Sequence, residues 1–175
     1  MAPAQRWDAD DAVTVLYVAH YASLVRLAAL LVRHSGEAEE IVQDAFVAMH
    51  GRWGRLREPD KAVGYLRRSV VNAARSAHRH HDVRDRHLLG ERSTRDVQRS
   101  AASAEQGALA GESRAEMMRA LDALPQRQRE VLVLRYFADM TEAQVAETLG
   151  ISLGSVKAYG SRGIAALRIA MEEPA

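Results

Sequence analysis

The 175-residue chain is predicted to be all-α, two small helical domains joined by a flexible linker, and three observations predict it. Apolar residues recur at helical spacing in several separate stretches and nowhere alternate as strand residues do. Capping and stop signals bracket those stretches. Between the two sets lies a polar, small-residue segment, residues 82–112, that loses the periodicity.

The first helix is expected from about Asp10 to Arg33, with Val13, Leu16, Tyr17, His20, Leu24, Leu27 and Leu31 on one side and Ser35-Gly36 as the stop. A second is expected from about Glu37 to His50, burying Ile41, Val42, Ala45, Phe46 and Met49. A basic connector, Arg52 to Arg57, surrounds Trp53, and Pro59 opens a third helix reaching about His81. These three make a domain over residues 10–81. The linker of 82–112 has Leu88-Leu89 as its one notable apolar pair. Order is expected to resume at Ser113, in a capping box with Glu116, for a four-helix domain over 113–171. Met117, Leu121 and Leu124 lie on its first helix, and Pro125 begins the next, which carries Val131, Leu132 and Leu134. Only Met171 to Ala175 follow the last expected helix, so no further regulatory domain is expected there.

Residues 141–162 have the grammar of a helix-turn-helix. Thr141 and Gln144 form a capping box, and Val145, Ala146 and Leu149 supply an apolar face. Gly150 stands at the turn, where a positive φ is expected, and Ser152 can cap the second helix. Ala146 is small enough for close helix approach, and Val156 can pin the second helix to the first. That helix then presents Lys157, Ser161 and Arg162 outward, as a DNA major groove requires. Gly160 and Gly163 lie inside it, each costing up to about 1 kcal/mol relative to Ala. They permit close approach to a neighbouring helix or to DNA, or they leave the helix frayed.

Bulk properties exclude several classes. There is no Cys, hence no disulfide framework and no Cys-based zinc site, which fits a reducing cytoplasm. Met1 to Asp11 is polar and acidic, unlike a signal peptide. No 18 apolar residues run together, so no membrane insertion is expected. Charge is segregated beneath a net +1. Residues 1–50 carry three Arg against seven acids, and residues 51–87 carry nine Arg and Lys61 against four acids. An acidic head before a basic segment suggests one surface for a protein and another for nucleic acid.

The third helix separates its faces. Val63, Leu66, Val70, Ala73 and Ala77 cluster on one side, with Arg68, Asn72, Arg75 and Arg79 nearly opposite and Tyr65 at the edge. No acid stands between Lys61 and His81 to compensate the cations. A guanidinium stripe can follow phosphates, while an amide and an aromatic ring can read and stack unpaired bases. On the second helix Glu40, Gln43 and Asp44 form one exposed patch away from Ile41 and Phe46.

Four motifs in order then suggest a family: Glu39-Glu40-Ile41-Val42-Gln43-Asp44-Ala45-Phe46; Gly64-Tyr65-Leu66-Arg67-Arg68-Ser69-Val70-Val71-Asn72; Leu124-Pro125-Gln126-Arg127-Gln128-Arg129-Glu130-Val131-Leu132; and the helix-turn-helix with Ser155-Val156-Lys157. Over about residues 12–81 and 113–170 the chain resembles bacterial extracytoplasmic-function (ECF) sigma factors, group IV of the sigma-70 family. The resemblance implies a three-helix sigma-2 domain, a linker and a sigma-4 helix-turn-helix domain. It implies promoter-directed transcription initiation with core RNA polymerase, cytoplasmic, non-enzymatic and without a cofactor.

Residue by residue, the resemblance implies that Glu40, Gln43 and Asp44 dock on the β′ coiled coil of core polymerase. It implies that Tyr65, Arg68 and Asn72, extended along the basic stripe by Arg75 and Arg79, engage the −10 element. It implies that Ser155, Lys157, Ala158, Ser161 and Arg162 read the −35 element. The expected partners are core RNA polymerase (β′ coiled coil and β flap), promoter DNA and an anti-sigma factor. Tyr65 stands where the family often has Trp, and Ala158 and Tyr159 replace residues that are frequently polar or basic. Promoter elements two DNA turns apart lie about 70 Å from each other, which a stretched linker of about 30 residues spans and a relaxed coil does not.

Two other readings compete. A stand-alone helix-turn-helix regulator would share the C-terminal half, but a receiver domain before it would alternate strands and helices. A metalloenzyme would use His78, His80, His81, Asp82 and His87, yet these fall where a helix is expected to fray and no carboxylate is placed as a base.

Overall fold

Asp8 starts the first helix: its carboxylate accepts from the Ala9 N–H at 2.7 Å. The helix that follows, α1, is Ala9–Leu31. The structure, a computed structural model, describes residues 8–32, 35–55, 61–87 and 108–172. Every regular element among them is helical. The chain divides into two units, Met1–Asp96 and Val97–Ala175.

In the first unit α1 packs on α2 (Ser35–Arg52) and on α3 (Ala62–His87), and α2 packs on α3. A 3₁₀ turn, Trp53–Arg55, follows α2 within the expected basic connector; Pro59 lies outside the described residues. Leu24, Leu27, Ala28 and Leu31 of α1 meet Val42, Ala45, Phe46 and Met49 of α2 and Leu66, Val70 and Val71 of α3 in one core. Burying each large aliphatic side chain contributes roughly 1.5–3 kcal/mol.

Several expected details shift. Ser35-Gly36 belongs to α2 instead of only stopping α1, which ends at Leu31 with Val32 as its C-cap, the Val32 N–H bonding the Ala28 carbonyl at 2.9 Å. Tyr17 is exposed and Ala12 buried, so the upper part of α1 turns a different side inward than expected. By length and composition (23 residues, mean hydropathy 1.5 over its best window) α1 could cross a bilayer, although polar residues interrupt its apolar run. Its C-terminal half is instead spent on the core just described.

On α3 the buried residues are Ala62, Leu66, Val70, Val71, Ala74 and His78, while Val63, Ala73 and Ala77 are half-exposed. The inward stripe therefore runs about one residue away from the expected one. An i, i+4 row of Ala, Leu, Val, Ala and His lets the helix lie close to both neighbours at once. The helix also continues past His81 to His87, because residues 82–87, polar apart from Val83, contain no Gly or Pro to break it.

The second unit contains α4 (Ala108–Ala123), α5 (Gln126–Leu132), a π-helical turn (Val133–Phe137), α6 (Glu142–Leu149) and α7 (Leu153–Glu172). Ser113 lies inside α4 and caps nothing: the Ala-Leu-Ala before it are strong helix formers, so the helix begins earlier. The expected linker thus yields residues to helices at both ends, and residues 88–107 lie outside the described ones. Pro125 precedes α5 at its N-cap. The π turn is not foreshadowed by the apolar spacing; the Ala138 N–H reaches five residues back to the Val133 carbonyl at 3.0 Å.

The α6 start is as expected. Thr141 Oγ1 accepts from the Gln144 N–H at 3.2 Å, and Gln144 Oε1 accepts from the Thr141 N–H at 2.8 Å. Gly150 ends the helix with φ 64°. Val145, Leu149 and Val156 are buried where α6 meets α7.

Candidate functional site

The first candidate surface is the outer side of α2. Ala38, Val42, Ala45 and Met49 turn inward, and this leaves Glu40, Gln43 and Asp44 exposed together. Beside them runs an open cleft between α1 and α2, about 420 Å³, walled by Val13, Tyr17, Gln43, Phe46, Val47 and His50. Tyr17 stacks on Tyr21 with centroids 4.5 Å apart and meets Phe46 edge-on at 5.1 Å. Partial desolvation, and then the neighbouring Tyr21, holds the Tyr17 phenol above its ordinary pKa. His50 Nε2 lies 2.6 Å from Asp10 Oδ1 and ties the end of α2 to the start of α1. The acidic patch thus borders an aromatic cleft, which charge patterning does not reveal.

The second surface is the outer side of α3. Tyr65, Arg68, Asn72, Arg75 and Arg79 recur at alternating spacings of three and four, so they follow one side of the helix. Arg68, Asn72 and Arg79 are exposed; Tyr65 and Arg75 are half-buried. Arg52 Nη1 donates to the Tyr65 hydroxyl at 3.3 Å, and Arg79 Nη2 donates to Ser76 Oγ at 3.1 Å. Arg52 joins this surface although it lies outside α3; only the fold brings the two together. Of the histidines weighed as metal ligands, His78 is buried in the core and His80 is exposed, so they do not converge. His81, Asp82 and His87 have side chains outside the described set.

The third surface is α7. Ser152 Oγ accepts from the Ser155 N–H at 3.1 Å and lies 2.8 Å from Ser155 Oγ, so Ser155 belongs to the helix start as much as to an outer face. Lys157, Ser161 and Arg162 are exposed, and Ala158 is half-exposed. Arg162 is pre-arranged: its Nε donates to the Ala158 carbonyl at 3.2 Å and its guanidinium lies 5.4 Å from the Tyr159 ring centre. Lys157 Nζ lies 3.9 Å from Glu142 Oε2, a residue not singled out in the sequence.

The glycine question resolves into two answers. Gly163 is buried, and a Cβ there would fall 2.9 Å from Leu132 Cδ1, so it serves close packing of α7 on α5. At Gly160 the same atom would meet only Val131 Cγ1, at an ordinary 3.7 Å. α7 runs continuously through both.

The motif ahead of the helix-turn-helix is largely structural. Glu130 and Arg129 are 2% and 3% exposed. Glu130 accepts from Gln126 Nε2 at 2.9 Å and from Arg127 Nη1 at 3.0 Å, and Arg129 reaches Asp122 at 3.6 Å.

Two helical units, one with an acidic and a basic face and one with a capped helix-turn-helix, are the make-up of a transcription initiation factor. Residues 16–84 match the family Sigma-70 region 2, and residues 114–167 match Sigma-70, region 4. The chain is 33% identical to the RNA polymerase sigma-E factor of Streptomyces avermitilis, over 86% of this chain and 79% of that one. It is 30% identical to the ECF RNA polymerase sigma factor SigM of Mycobacterium tuberculosis, over 87% and 73%. Its fold is similar to that of the sigma factor RpoE from Bartonella quintana, solved in complex with the anti-sigma factor NepR. The TM-score is 0.74 at 18% identity, covering 93% of this chain and 98% of that one. The chain belongs to the RNA polymerase sigma factors of the extracytoplasmic-function type.

Proposed function

We propose a division of labour among the three surfaces. Glu40, Gln43 and Asp44 dock on the β′ coiled coil of core polymerase. Tyr65, Arg68, Asn72, Arg75 and Arg79 engage the −10 element as it opens, and Ser155, Lys157, Ala158, Ser161 and Arg162 read the −35 element in duplex form. The corresponding domains are 10–81 and 113–171, joined by a tether over 82–112 whose ends continue α3 and α4, with the β flap as a further polymerase contact. The chain acts in the cytoplasm as a specificity subunit, without catalysis of its own. An anti-sigma factor restrains it; relatives in fold, RpoE and CnrH, are described in complex with NepR and with the cytosolic domain of CnrY.

The observation that carries this reading is the opposition of faces in the first unit. Glu40 and Asp44 are exposed on α2, while α3 carries a basic stripe on which Arg68, Asn72 and Arg79 are exposed and Tyr65 and Arg75 half-buried. Acids facing a basic partner supply steering and register. Cations follow phosphates, and Tyr65 and Asn72 can hold an extruded base, which costs a few kcal/mol to unstack. The test is transcription from genomic templates by core polymerase with and without the folded chain. Specific starts that need the chain are expected. Failure to start from any template, or tight specific duplex binding without core polymerase, overturns the proposal.

A further inference from the structure

We infer that Glu142 is a positioning residue for duplex recognition: its charge biases Lys157 and thereby raises discrimination between promoter and non-promoter DNA. The inference rests on the reading of α7 as the duplex-reading helix. Glu142 is the first residue of α6, directly after the Thr141 cap, so its backbone is set by the capping box. Lys157 lies early in α7, whose start is set by Ser152. Buried Val145 and Val156 fix how these helices cross. The 3.9 Å separation of the two charges is therefore a consequence of two anchored helix starts.

Both side chains are solvated, 61% exposed for Lys157 and 38% for Glu142, so the pair adds little to stability. Its consequence lies in where the ammonium goes. A lysine on a flexible four-carbon stem is a point charge that any phosphate satisfies. Phosphate contact carries no sequence information. A carboxylate beside the ammonium offsets its attraction to the backbone and repels approaching phosphates. At 3.9 Å the carboxylate acts on the ammonium by charge and leaves its hydrogens for base-edge acceptors such as guanine O6 and N7. The pair overlooks an open cleft of about 270 Å³ whose walls include Arg135, Tyr136 and Ser161. Arg135 is itself directed away, donating to the Met140 carbonyl at 2.6 Å.

The test uses holoenzyme carrying E142Q, K157A or both, with binding to promoter and non-promoter duplexes measured across a salt series. For E142Q, non-promoter binding tightens and the promoter to non-promoter ratio falls about tenfold, the scale of one good base contact. Its salt slope steepens by about one phosphate contact. K157A lowers the ratio too, and E142Q then adds nothing to it. An unchanged ratio in E142Q beside a lowered one in K157A overturns the role of Glu142 alone. A full E142Q effect in the K157A background overturns its action through Lys157. No effect of K157A on the ratio overturns this inference; if R162A also leaves the ratio unchanged, the reading of α7 falls as well.

Discussion

Gly163 and Leu132 meet where α7 crosses α5: a methyl group on the glycine would lie 2.9 Å from Leu132 Cδ1 and 3.1 Å from Cγ. Leu132 is itself buried and has little room to yield. Gly163→Ala therefore gains helix propensity but overpacks the crossing, which typically costs about 1–3 kcal/mol. Gly160→Ala makes an ordinary contact with Val131 and keeps the propensity gain of up to about 1 kcal/mol. Thermal melts should shift down by several degrees for the first and up for the second. Equal shifts would mean that α7 does not pack on α5 at this point.

Glu130 and Arg127 should respond unequally to mutation. Glu130 is buried and Arg127 is 39% exposed at the side chain. Arg127→Ala removes an ion-pair partner from a buried carboxylate that still accepts from Gln126, at up to about 3 kcal/mol. Glu130→Gln leaves a guanidinium that can rehydrate, at about 1 kcal/mol. Denaturant titration of the singles and the double measures the asymmetry, and the double should recover most of the Arg127→Ala loss.

Asn72 is exposed on the basic side of α3, away from the buried Leu66, Val70 and Val71. Asn72→Ala should reduce open-complex formation at least tenfold, on the scale of a lost bidentate contact, while core polymerase binding stays unchanged. Permanganate footprinting and a polymerase-binding titration separate the two. Equal losses in both would indicate misfolding.

Gln43 and Asp44 should behave in the opposite way. Replacing both with Ala removes exposed polar groups next to the aromatic cleft without touching the core. Affinity for core polymerase should fall at least fivefold, mostly through lost steering and register. The melting temperature should not move. Unchanged affinity would assign the docking surface elsewhere.

Helices α1, α2 and α6 as elements, with the turn at Gly150, were legible because each depends on local rules, whereas the inward side of the first half of α1 and the start of α2 were not. The acidic and basic outer faces were legible for the same reason, since a helix face is a matter of spacing. Errors arose where a residue's neighbour lies far along the chain. The inward stripe of α3 is set by contact with α1 and α2, which favoured Ala62, Ala74 and His78 over Val63, Ala73 and Ala77. Ser113 looked like a cap because its box pattern is local, but the residues before it were free to continue the helix. Residues 82–87 read as linker because only Val83 among them is apolar, yet they contain no Gly or Pro and the helix runs through them to His87.

From its residues alone, then, the chain specifies helices, their starts, their charged faces and membership in a recognisable order of motifs, all governed by interactions within a few positions. Folding alone settled which glycine bears a helix crossing, that Arg52 bonds Tyr65, and that Glu142 stands beside Lys157. Those depend on how elements remote in sequence pack against one another, which no local spacing encodes.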